Sequence, residues 1–493
     1  MQFGVYELAA LIGMIAYFVI VVIIGAWSYK ETKTLADYFV GGRRMGPLFG
    51  AIIYAGTVHS CASYVGVTGF AWLWGFGGTL YCYLFNLVII GAAFILVGLA
   101  IWRVSKTFGL YTSSEFLAFR YNDPRLRPWF GVSNFVWYLF YISAQYMGIA
   151  YIIHVMIGIP IEWALLAIVG IIAFYVVLGG ILAANYTTAF QGCIMFALGI
   201  VAFIILSAKM GGWAVWETIR TQAPKYWSIP GAWPWGVMLS LGFISSFIPL
   251  AMPHQWNRFM IFRDETFFKW GPLIYAIFAF QCIIGIAMVG AMGRLIVPGP
   301  LKTPDLAYPM IIRAIFPPWM AGIFMAGIIA AGMSTVDAMA AMSGQGLSRD
   351  LFNFFKPELS EKSVMRIARI ATLIVMVVSL AIAWFRPAWI VFMFFLTAGG
   401  IASTFMAPML FGLFWRRATA PAAWASSVGG VIAYVIFNLI WGFKGVNNPI
   451  LKYLDPWFFG ISASAILFII VALLTRPPPE EHVNKFMNAI KGQ

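Results

Sequence analysis

Apolar runs of about 20 residues recur from one end of the 493-residue sequence to the other. As a helix, a run of this length crosses the roughly 30 Å hydrocarbon core of a bilayer. Hydrophobic residues make up 62% of the chain and charged residues only 10%, unlike soluble proteins. We therefore predict an all-α polytopic membrane protein. The thirteen predicted spans are 5–29, 47–75, 78–102, 129–156, 161–183, 187–208, 235–255, 271–296, 319–344, 364–385, 388–415, 419–443 and 455–475.

Basic residues are distributed unevenly between the two sides of these spans. With the N-terminus outside, 22 of the 31 Lys and Arg residues, Arg258 among them, fall in loops or ends predicted to be cytoplasmic, and 9 fall outside. This bias follows the positive-inside rule and places the C-terminus in the cytoplasm. We attribute the net charge of +14 to topology in the cell membrane (plasma or inner), so a nucleic-acid partner is not expected. No obligate protein partner is evident.

The first apolar run, Val5–Tyr29, has the length of a full span and no basic residue before it. We expect a transmembrane helix here rather than a cleaved signal peptide. The four cysteines, Cys61, Cys82, Cys193 and Cys282, fall inside predicted spans without C-x-x-C spacing. Neither a disulfide framework nor a metal knuckle is therefore expected.

Two of the predicted spans are interrupted near their middle. The span 47–75 carries small and polar residues around 56–63, and the span 235–255 carries Ser245, Ser246, Pro249 and Pro253. Irregular backbone at membrane depth is tolerated only where it is buried in protein or lines a cavity. The two interrupted spans lie five spans apart and run in opposite directions, which is typical of inverted repeats with a binding site between them.

The predicted organisation is therefore one transporter domain over residues 1–475. Its first repeat covers about 47–208 and its second about 235–415. Extra helices at 5–29, 419–443 and 455–475 flank the repeats, and a short cytoplasmic tail covers 476–493. No convincing repeat of sequence letters supports this division, which depends on topology and hydropathy.

The stretch 327–350, GIIAAGMSTVDAMAAMSGQGLSRD, is the strongest candidate for a binding helix. Ala331, Ser334 and Thr335 are spaced i, i+3 and i+4, so a carbonyl and two hydroxyls can converge on one side. Asp337 is costly at membrane depth and is expected to face protein, water or an ion. These residues predict one wall of a cation site. The alternative is that both hydroxyls only bond back to their own helix.

Four local patterns, in order and in register, resemble one transporter family. They are ADYFVGGRRMGP at 36–47, GLYTSSEFLAFRYNDPRLR at 109–127, VVLGGILAANYTTAFQG at 176–192 and AAGMSTVDA at 330–338. Together with the thirteen-span frame they resemble the sodium:solute symporter family, from about residue 5 to 475. The resemblance implies a leucine-transporter-type fold with a 5+5 inverted repeat, and symport by alternating access with Na⁺ as the co-transported ion. The patterns favour its monocarboxylate and pantothenate branches.

The resemblance also implies a sodium site between the two halves of the fold. Its ligands would be the backbone carbonyls of Gly56, His59 and Ala331 and the hydroxyls of Ser334 and Thr335. Na⁺ is a hard cation, and unwound carbonyls with a hydroxyl pair supply oxygens without a buried negative charge.

Three further residues bear on the ion and its coupling. His59 departs from the family pattern and is either a proton carrier or a neutral imidazole bonded inside the bundle. Thr188 stands where the family often has an Asp of a second sodium site, so one Na⁺ per substrate is expected. Asp337 is either a coupling residue that compensates for this loss or a packing carboxylate satisfied by hydroxyls.

The substrate is expected beside the interrupted spans, near the midplane. The candidate contacts are Ser60, Ser63, Tyr64, Tyr83, Asn86 and Gln145, although buried polar residues between helices are often packing contacts. A small organic anion is the first expectation. A neutral or zwitterionic solute such as an amino acid, and proton coupling in the same fold, are the alternatives.

An enzyme is not expected, because the four histidines are scattered and there is no H-E-x-x-H pattern or phosphate-binding glycine loop. The residues after Thr475 leave no room for a signalling domain. The expected partners are therefore a small organic solute, Na⁺ and the lipid bilayer.

Overall fold

The computed structural model of the chain describes residues 4–385, 390–441 and 455–493. Helices account for 85% of the structure, and the described residues contain no β-strand. The α-helices of the first half are α1 (Val5–Glu31), α2 (Leu35–Val40), α3 (Pro47–Val58), α4 (Val67–Trp74), α5 (Phe76–Ala93), α6 (Leu99–Thr107), α7 (Ser113–Tyr121), α8 (Leu126–Ile157), α9 (Ile161–Lys209), α10 (Ala214–Gln222) and α11 (Pro224–Trp227).

The second half continues with α12 (Trp235–Phe247), α13 (Pro253–Met260), α14 (Thr266–Phe280), α15 (Ile286–Gly293), α16 (Ala307–Ile315), α17 (Pro318–Gln345), α18 (Asn353–Phe355), α19 (Glu361–Phe385), α20 (Ile390–Phe414), α21 (Ala420–Trp441), α22 (Pro456–Leu474) and α23 (Glu480–Lys491). Short π-helical turns at 62–66, 94–98, 281–285 and 346–352 join or extend several of these helices.

Nine helices in the described ranges are long and apolar enough to cross a membrane, or ten if the bent pair α3 and α4 is one span. The predicted total of thirteen spans stays a prediction. Helix α9 has 49 residues, which at about 1.5 Å each is far longer than one crossing. The sequence predicts a boundary at 184–186, but the break lies at Gly180, with φ 57° and ψ −144°. This conformation is open to glycine and strained for other residues.

Both predicted interruptions are present. Helix α3 ends at Val58, and its axis is bent by 59° from the segment Ala62–Trp74 that follows. Helix α12 ends at Phe247 and is followed by a 3₁₀ turn at 248–251, after which α13 begins at Pro253. Proline suits the first turn of a helix because no intrahelical partner is lost there.

Helix α17 runs through the centre of the bundle and packs against α1, α8, α9 and α3. Glycines permit these close contacts. A Cβ on Gly13 of α1 would lie 2.5 Å from the backbone of Gly322, and a Cβ on Gly332 would lie 2.8 Å from the Cys61 sulfur. Small residues bring membrane helices together in this way. The stretch 327–350 is therefore surrounded by protein, with both hydroxyls and the carboxylate buried.

The predicted cytoplasmic tail, 476–493, contains the amphipathic helix α23. Val483, Phe486 and Ala489 of α23 are buried. The His482 Nε2 atom lies 2.7 Å from the Phe119 carbonyl oxygen. Arg103 of α6 donates to the Ile490 carbonyl at 3.0 Å. The predicted tail is thus a helix packed against α6 and α7.

Candidate functional site

The end of α3 leaves backbone carbonyls without their usual helical partners. The His59 N–H still donates to the Ala55 carbonyl at 3.0 Å, but the Ser60 N–H turns to the Ser63 hydroxyl at 3.3 Å. The chain leaves the helix at His59, where ψ is 123°. The carbonyls at the end of α3 therefore need partners from another helix.

Helix α17 supplies those partners. The Ser334 hydroxyl donates to the Gly56 carbonyl at 2.7 Å, and the Thr335 hydroxyl lies 3.4 Å from the Thr57 carbonyl. Both hydroxyls also reach the Ala331 carbonyl of their own helix, at 3.0 and 3.4 Å. Five oxygens from two helices therefore converge, and each hydroxyl bonds both within α17 and across to α3.

Ser343 shows what a hydroxyl on α17 does away from this point. It donates to the Met339 carbonyl of its own helix at 2.8 Å. A serine in α17 can thus be satisfied locally. The contacts of Ser334 and Thr335 across to α3 distinguish this cluster, which we call the oxygen cluster (Gly56, Thr57, Ala331, Ser334 and Thr335).

The oxygen cluster has the chemistry of a site for a hard cation. Its members are three carbonyls and two hydroxyls, with no charged group among them. A hydroxyl that now donates to a carbonyl can rotate and offer its lone pairs to an ion. Gly56, Ala331, Ser334 and Thr335 were expected here from the sequence, whereas Thr57 was not.

The His59 side chain points away from α17. Its ring stacks on Tyr275 and Phe278 of α14, at centroid distances of 5.9 and 5.6 Å. The ring is buried, and its Nε2 atom has no hydrogen-bond partner among the described residues. A neutral imidazole hydrogen-bonded inside the bundle is one alternative expected from the sequence. The ring does lie inside the bundle, but it stacks on aromatic rings and its Nε2 atom makes no hydrogen bond to the described residues. The assignment of the His59 carbonyl as an ion ligand stays a prediction.

Helix α9 lies behind the oxygen cluster. A Cβ on Gly56 would lie 3.2 Å from the Thr188 methyl group and 3.4 Å from the Gly192 Cα, so α3 and α9 approach closely here. The Thr188 hydroxyl is buried and has no partner among the described residues. The position where the family often has an Asp is thus beside the oxygen cluster and carries a neutral oxygen.

The Asp337 carboxylate is buried and accepts hydrogen bonds from two hydroxyls. The Tyr175 hydroxyl donates to one carboxylate oxygen at 2.5 Å, and the Thr187 hydroxyl donates to the other at 3.0 Å. Both partners belong to α9. The carboxylate therefore connects α17 to α9 one turn beyond Ser334. These contacts are those expected of a packing carboxylate satisfied by hydroxyls. A role of Asp337 in coupling stays a proposal.

Arg258 corrects the sequence analysis, which counts it among charges of a cytoplasmic loop. Its side chain is 0% exposed. The Nε atom donates to the Thr57 hydroxyl at 3.0 Å, and Nη1 donates to the Asn185 amide oxygen. All eight residues of α13 are buried, so this helix lies inside the protein rather than in a loop.

The second break is capped by a tyrosine. The His254 N–H donates to the Tyr138 hydroxyl at 2.9 Å, and the same oxygen lies 3.1 Å from the His254 Nδ1 atom. The Gln255 amide oxygen accepts from Tyr54 at 3.1 Å. Side chains from α3 and α8 therefore satisfy the start of α13.

The expected substrate contacts fall into separate groups. Ser60 and Ser63 lie in the break after α3, and the Gln145 amide oxygen accepts the Cys61 N–H at 2.9 Å. The Tyr64 hydroxyl instead donates to the Met195 carbonyl at 2.9 Å. The remaining two belong to α5.

Asn86 of α5 points to α12 and α14, because it donates to the Ser245 carbonyl and accepts from the Tyr275 hydroxyl at 2.9 Å. The Tyr83 side chain lies outside the described residues. Ser60, Ser63 and Gln145 are thus brought together, while Tyr64 and Asn86 face other helices.

Known proteins resemble the chain along most of its length. The sequence model of the sodium:solute symporter family matches residues 38–430 of the chain. The chain is 28% identical over 443 residues to the sodium/pantothenate symporter of Escherichia coli (strain K12), covering 87% of this chain and 90% of that protein. It is 26% identical over 489 residues to the high-affinity proline transporter PutP of Bacillus subtilis (strain 168), covering 94% and 98%.

Solved structures resemble the fold at low identity. A substrate-bound, outward-open Na⁺-coupled sialic acid symporter has a TM-score of 0.78 at 19% identity, covering 95% of this chain and 98% of that chain. A nucleobase-cation-symport-1 family transporter in a closed conformation has a TM-score of 0.57 at 12% identity, covering 92% and 98%. The fold is therefore of the leucine-transporter type.

A helical membrane bundle with two interrupted helices, and a neutral oxygen cluster between the first of them and α17, is the architecture of a secondary active transporter. The family match extends over most of the chain. The chain belongs to the sodium:solute symporter family, as its sequence patterns predict. It is a multi-pass membrane protein of the cell membrane and a sodium-coupled solute symporter, not an enzyme.

Proposed function

We propose that the chain imports a small organic anion bearing a carboxylate, together with one Na⁺ per substrate. The observation that carries the proposal is the oxygen cluster, in which Ser334 and Thr335 of α17 meet the Gly56 and Thr57 carbonyls at the end of α3. A Na⁺ there would replace the hydroxyl-to-carbonyl bonds with ion contacts. It would hold the two helices in one relative position.

The absence of a charged group in the cluster supports Na⁺ as its ion. A monovalent cation needs less compensation than Ca²⁺ or Mg²⁺, which bind carboxylates. Thr188 has a neutral oxygen where a second site would need an anion, which supports one Na⁺ per substrate. In this proposal Asp337 does not bind the ion, because its carboxylate faces the Tyr175 and Thr187 hydroxyls of α9 rather than the end of α3.

Gln145 supports an oxygen-bearing solute. Its amide oxygen is engaged by the Cys61 N–H, which leaves the NH₂ group as a donor. That nitrogen is buried and makes no hydrogen bond to the described residues. A substrate carboxylate or carbonyl would satisfy it, with Ser60 and Ser63 as further donors. Pantothenate and proline, transported by the similar proteins, both carry a carboxylate.

Coupling follows from linkage. If Na⁺ fixes the end of α3, it also fixes the Ser60–Ser63 segment that follows directly in the chain. Na⁺ then raises the affinity for the solute, and the solute raises the affinity for Na⁺ by the same factor. Alternating access carries both across, with the N-terminus outside and the C-terminus in the cytoplasm.

The test is uptake into proteoliposomes of labelled pantothenate, lactate, pyruvate and proline. One set of vesicles has an inward Na⁺ gradient and a second has an inward H⁺ gradient at equal Na⁺. We expect uptake of a carboxylate solute with the Na⁺ gradient alone. Two Na⁺ per substrate, measured from the dependence of uptake on the membrane potential, would contradict the proposed stoichiometry.

Uptake driven by the H⁺ gradient alone would refute sodium coupling. It would move His59 and Asp337 to the centre of the mechanism. Uptake of proline in preference to every anion would refute the anion assignment and leave the ion site intact. The panel therefore separates the two parts of the proposal.

A further inference from the structure

Arg258 lies outside the oxygen cluster but is joined to it through one residue. Its Nε atom donates to the Thr57 hydroxyl at 3.0 Å, while the Thr57 carbonyl lies 3.4 Å from the Thr335 hydroxyl. Thr57 therefore contacts the arginine with its side chain and α17 with its backbone. A displacement of Arg258 would be transmitted to a carbonyl of the cluster.

The same guanidinium reaches a third helix. Nη1 donates to the Asn185 amide oxygen of α9. Arg258 belongs to α13, directly after the second break. A single side chain thus connects the two interrupted segments to each other and to α9. A buried Arg fork with fixed geometry suits this role better than a flexible lysine.

The charge of Arg258 is compensated across a longer distance. Its Nη2 atom has no hydrogen bond to the described residues, and the opposite charge that acts on it belongs to Asp337 of α17. Asp337 follows Ser334 by three positions on the same helix. Removing one buried charge leaves the other uncompensated, so these two groups depend on each other.

We propose that Arg258 is a positioning residue for sodium: it holds the end of α3 so that the Gly56 and Thr57 carbonyls stay opposite Ser334 and Thr335. Movement of α13 would break its bonds to Thr57 and Asn185 and release the ion. This inference depends on the sodium site proposed above. By linkage, loss of the Arg258 contacts weakens Na⁺ binding.

The experiment measures binding of ²²Na⁺ to the purified full-length protein in the absence of solute, normalised to the folded fraction. We expect Arg258→Gln to weaken Na⁺ binding about tenfold, within the range of typical coupling between sites. Arg258→Lys keeps the charge and loses the fork, so a smaller weakening is expected. Thr57→Val removes the hydroxyl that accepts from Arg258 and donates to the Ile53 carbonyl, and it is expected to weaken binding about threefold. Thr57→Ser keeps the hydroxyl and is expected to bind like the parent.

Arg120 offers a matched control. It is also 0% exposed and donates to two backbone carbonyls, those of Gly412 and Trp415, at 2.5 and 3.0 Å. Arg120→Gln tests the general cost of losing a buried arginine and is expected to leave Na⁺ affinity unchanged. Equal weakening in Arg120→Gln and Arg258→Gln would overturn the inference.

Ser334→Ala separates this inference from the ion site itself. If Ser334→Ala weakens Na⁺ binding while Arg258→Gln and Thr57→Val both bind like the parent, the site stands and the role of Arg258 is refuted. If Ser334→Ala has no effect, the site is wrong and the inference fails with it. If Arg258→Gln does not fold, the Thr57→Val and Thr57→Ser pair decides the outcome.

Discussion

The two interrupted helices offer different chemistry to the centre of the bundle. At the first break, after α3, backbone carbonyls of Gly56 and Thr57 face two hydroxyls. At the second break, before α13, an N–H is capped by Tyr138 and the buried guanidinium of Arg258 follows. The contacts at the first break are made by acceptors at the end of a helix, whereas the contact at the second break is made by a donor at the start of a helix.

This difference follows from helix polarity. The C-terminal end of a helix carries partial negative charge and the N-terminal end partial positive charge. A cation is therefore favoured at the end of α3. The buried positive charge after the second break belongs to Arg258 in the last turn of α13, and Asp337 is an opposite charge that acts on it. The first break can receive a Na⁺, whereas the helix that follows the second break already contains a fixed cation.

The largest expected effect comes from removing both hydroxyls at the first break. In Ser334→Ala/Thr335→Ala the Na⁺ concentration for half-maximal uptake should rise about a thousandfold, at about 2 kcal/mol for each charge-assisted contact. Ser343→Ala removes a hydroxyl whose hydrogen bond, among the described residues, stays within α17, so it should leave that concentration unchanged. The measurement is a sodium titration of uptake. An equal sodium requirement in the double variant and in Ser343→Ala would contradict the assignment of the first break as the sodium site.

The next effect tests charge compensation at the second break. Asp337→Asn should lower the free energy of unfolding by about 3 kcal/mol, because one α9 hydroxyl loses its carboxylate acceptor and Arg258 loses an opposite charge that acts on it. Arg258→Gln/Asp337→Asn should recover part of that loss. Thermal stability of the purified variants, followed by size-exclusion chromatography, gives the double-mutant cycle. Additive losses would show that the two charges do not interact.

The carboxyl group of Asp305, which lies outside the membrane helices and near the segment after the first break, allows the pH dependence of stability to be tested. Asp305, whose charge acts on Cys61, accepts from the Ile390 N–H at 3.3 Å. Burial raises its pKa from 3.8 to about 6. Because the folded-state pKa is the higher one, the protonated form stabilises the fold at low pH, and this stabilisation is lost as pH rises from about 4 to about 6.

Asp305→Asn should remove this pH dependence. The melting temperature of the variant relative to the parent should therefore increase between pH 4.5 and pH 7, by the equivalent of about 2 kcal/mol of stability. Melting curves of both proteins across that interval provide the measurement. Parallel curves would mean that Asp305 titrates at an ordinary pKa.

The smallest effect concerns the cap of the second break. Tyr138→Phe deprives the buried His254 N–H of its acceptor and should cost about 1 kcal/mol of stability. Na⁺ affinity should stay within about twofold of the parent, since Tyr138 makes no contact with the oxygen cluster in the described structure. A large loss of sodium affinity would show that the second break is itself part of the ion site.

The interruptions and most of the oxygen cluster could be predicted from the sequence. Small polar residues and prolines inside apolar runs indicate breaks, and the Ser334–Thr335 pair indicates ligands for a hard cation. The partner carbonyls came from the family resemblance, because sequence periodicity does not tell which helices meet. Thr57 was missed since its carbonyl depends on where α3 ends.

Arg258 could not be placed from the sequence. It lies beyond two prolines at the end of an apolar run, which is where a loop charge is expected. Four of the eight residues of α13, His254, Gln255, Asn257 and Arg258, are polar or charged, a composition typical of a surface segment, and yet every residue of the helix is buried. The direction of the His59 ring was equally hidden, because a side chain at the end of a helix can turn to either neighbour.

The contact between Arg103 and the Ile490 carbonyl joins residues 387 positions apart. It cannot form during synthesis until residue 490 has left the ribosome, after every described membrane helix has been made. Arg103 also forms a two-point bond with Glu265, both contacts at 2.8 Å, and this contact lowers the pKa of that carboxyl. The face that contains α6, α23 and the loop before α14 is therefore completed only after α22 has been made, when the earlier helices are already in the membrane.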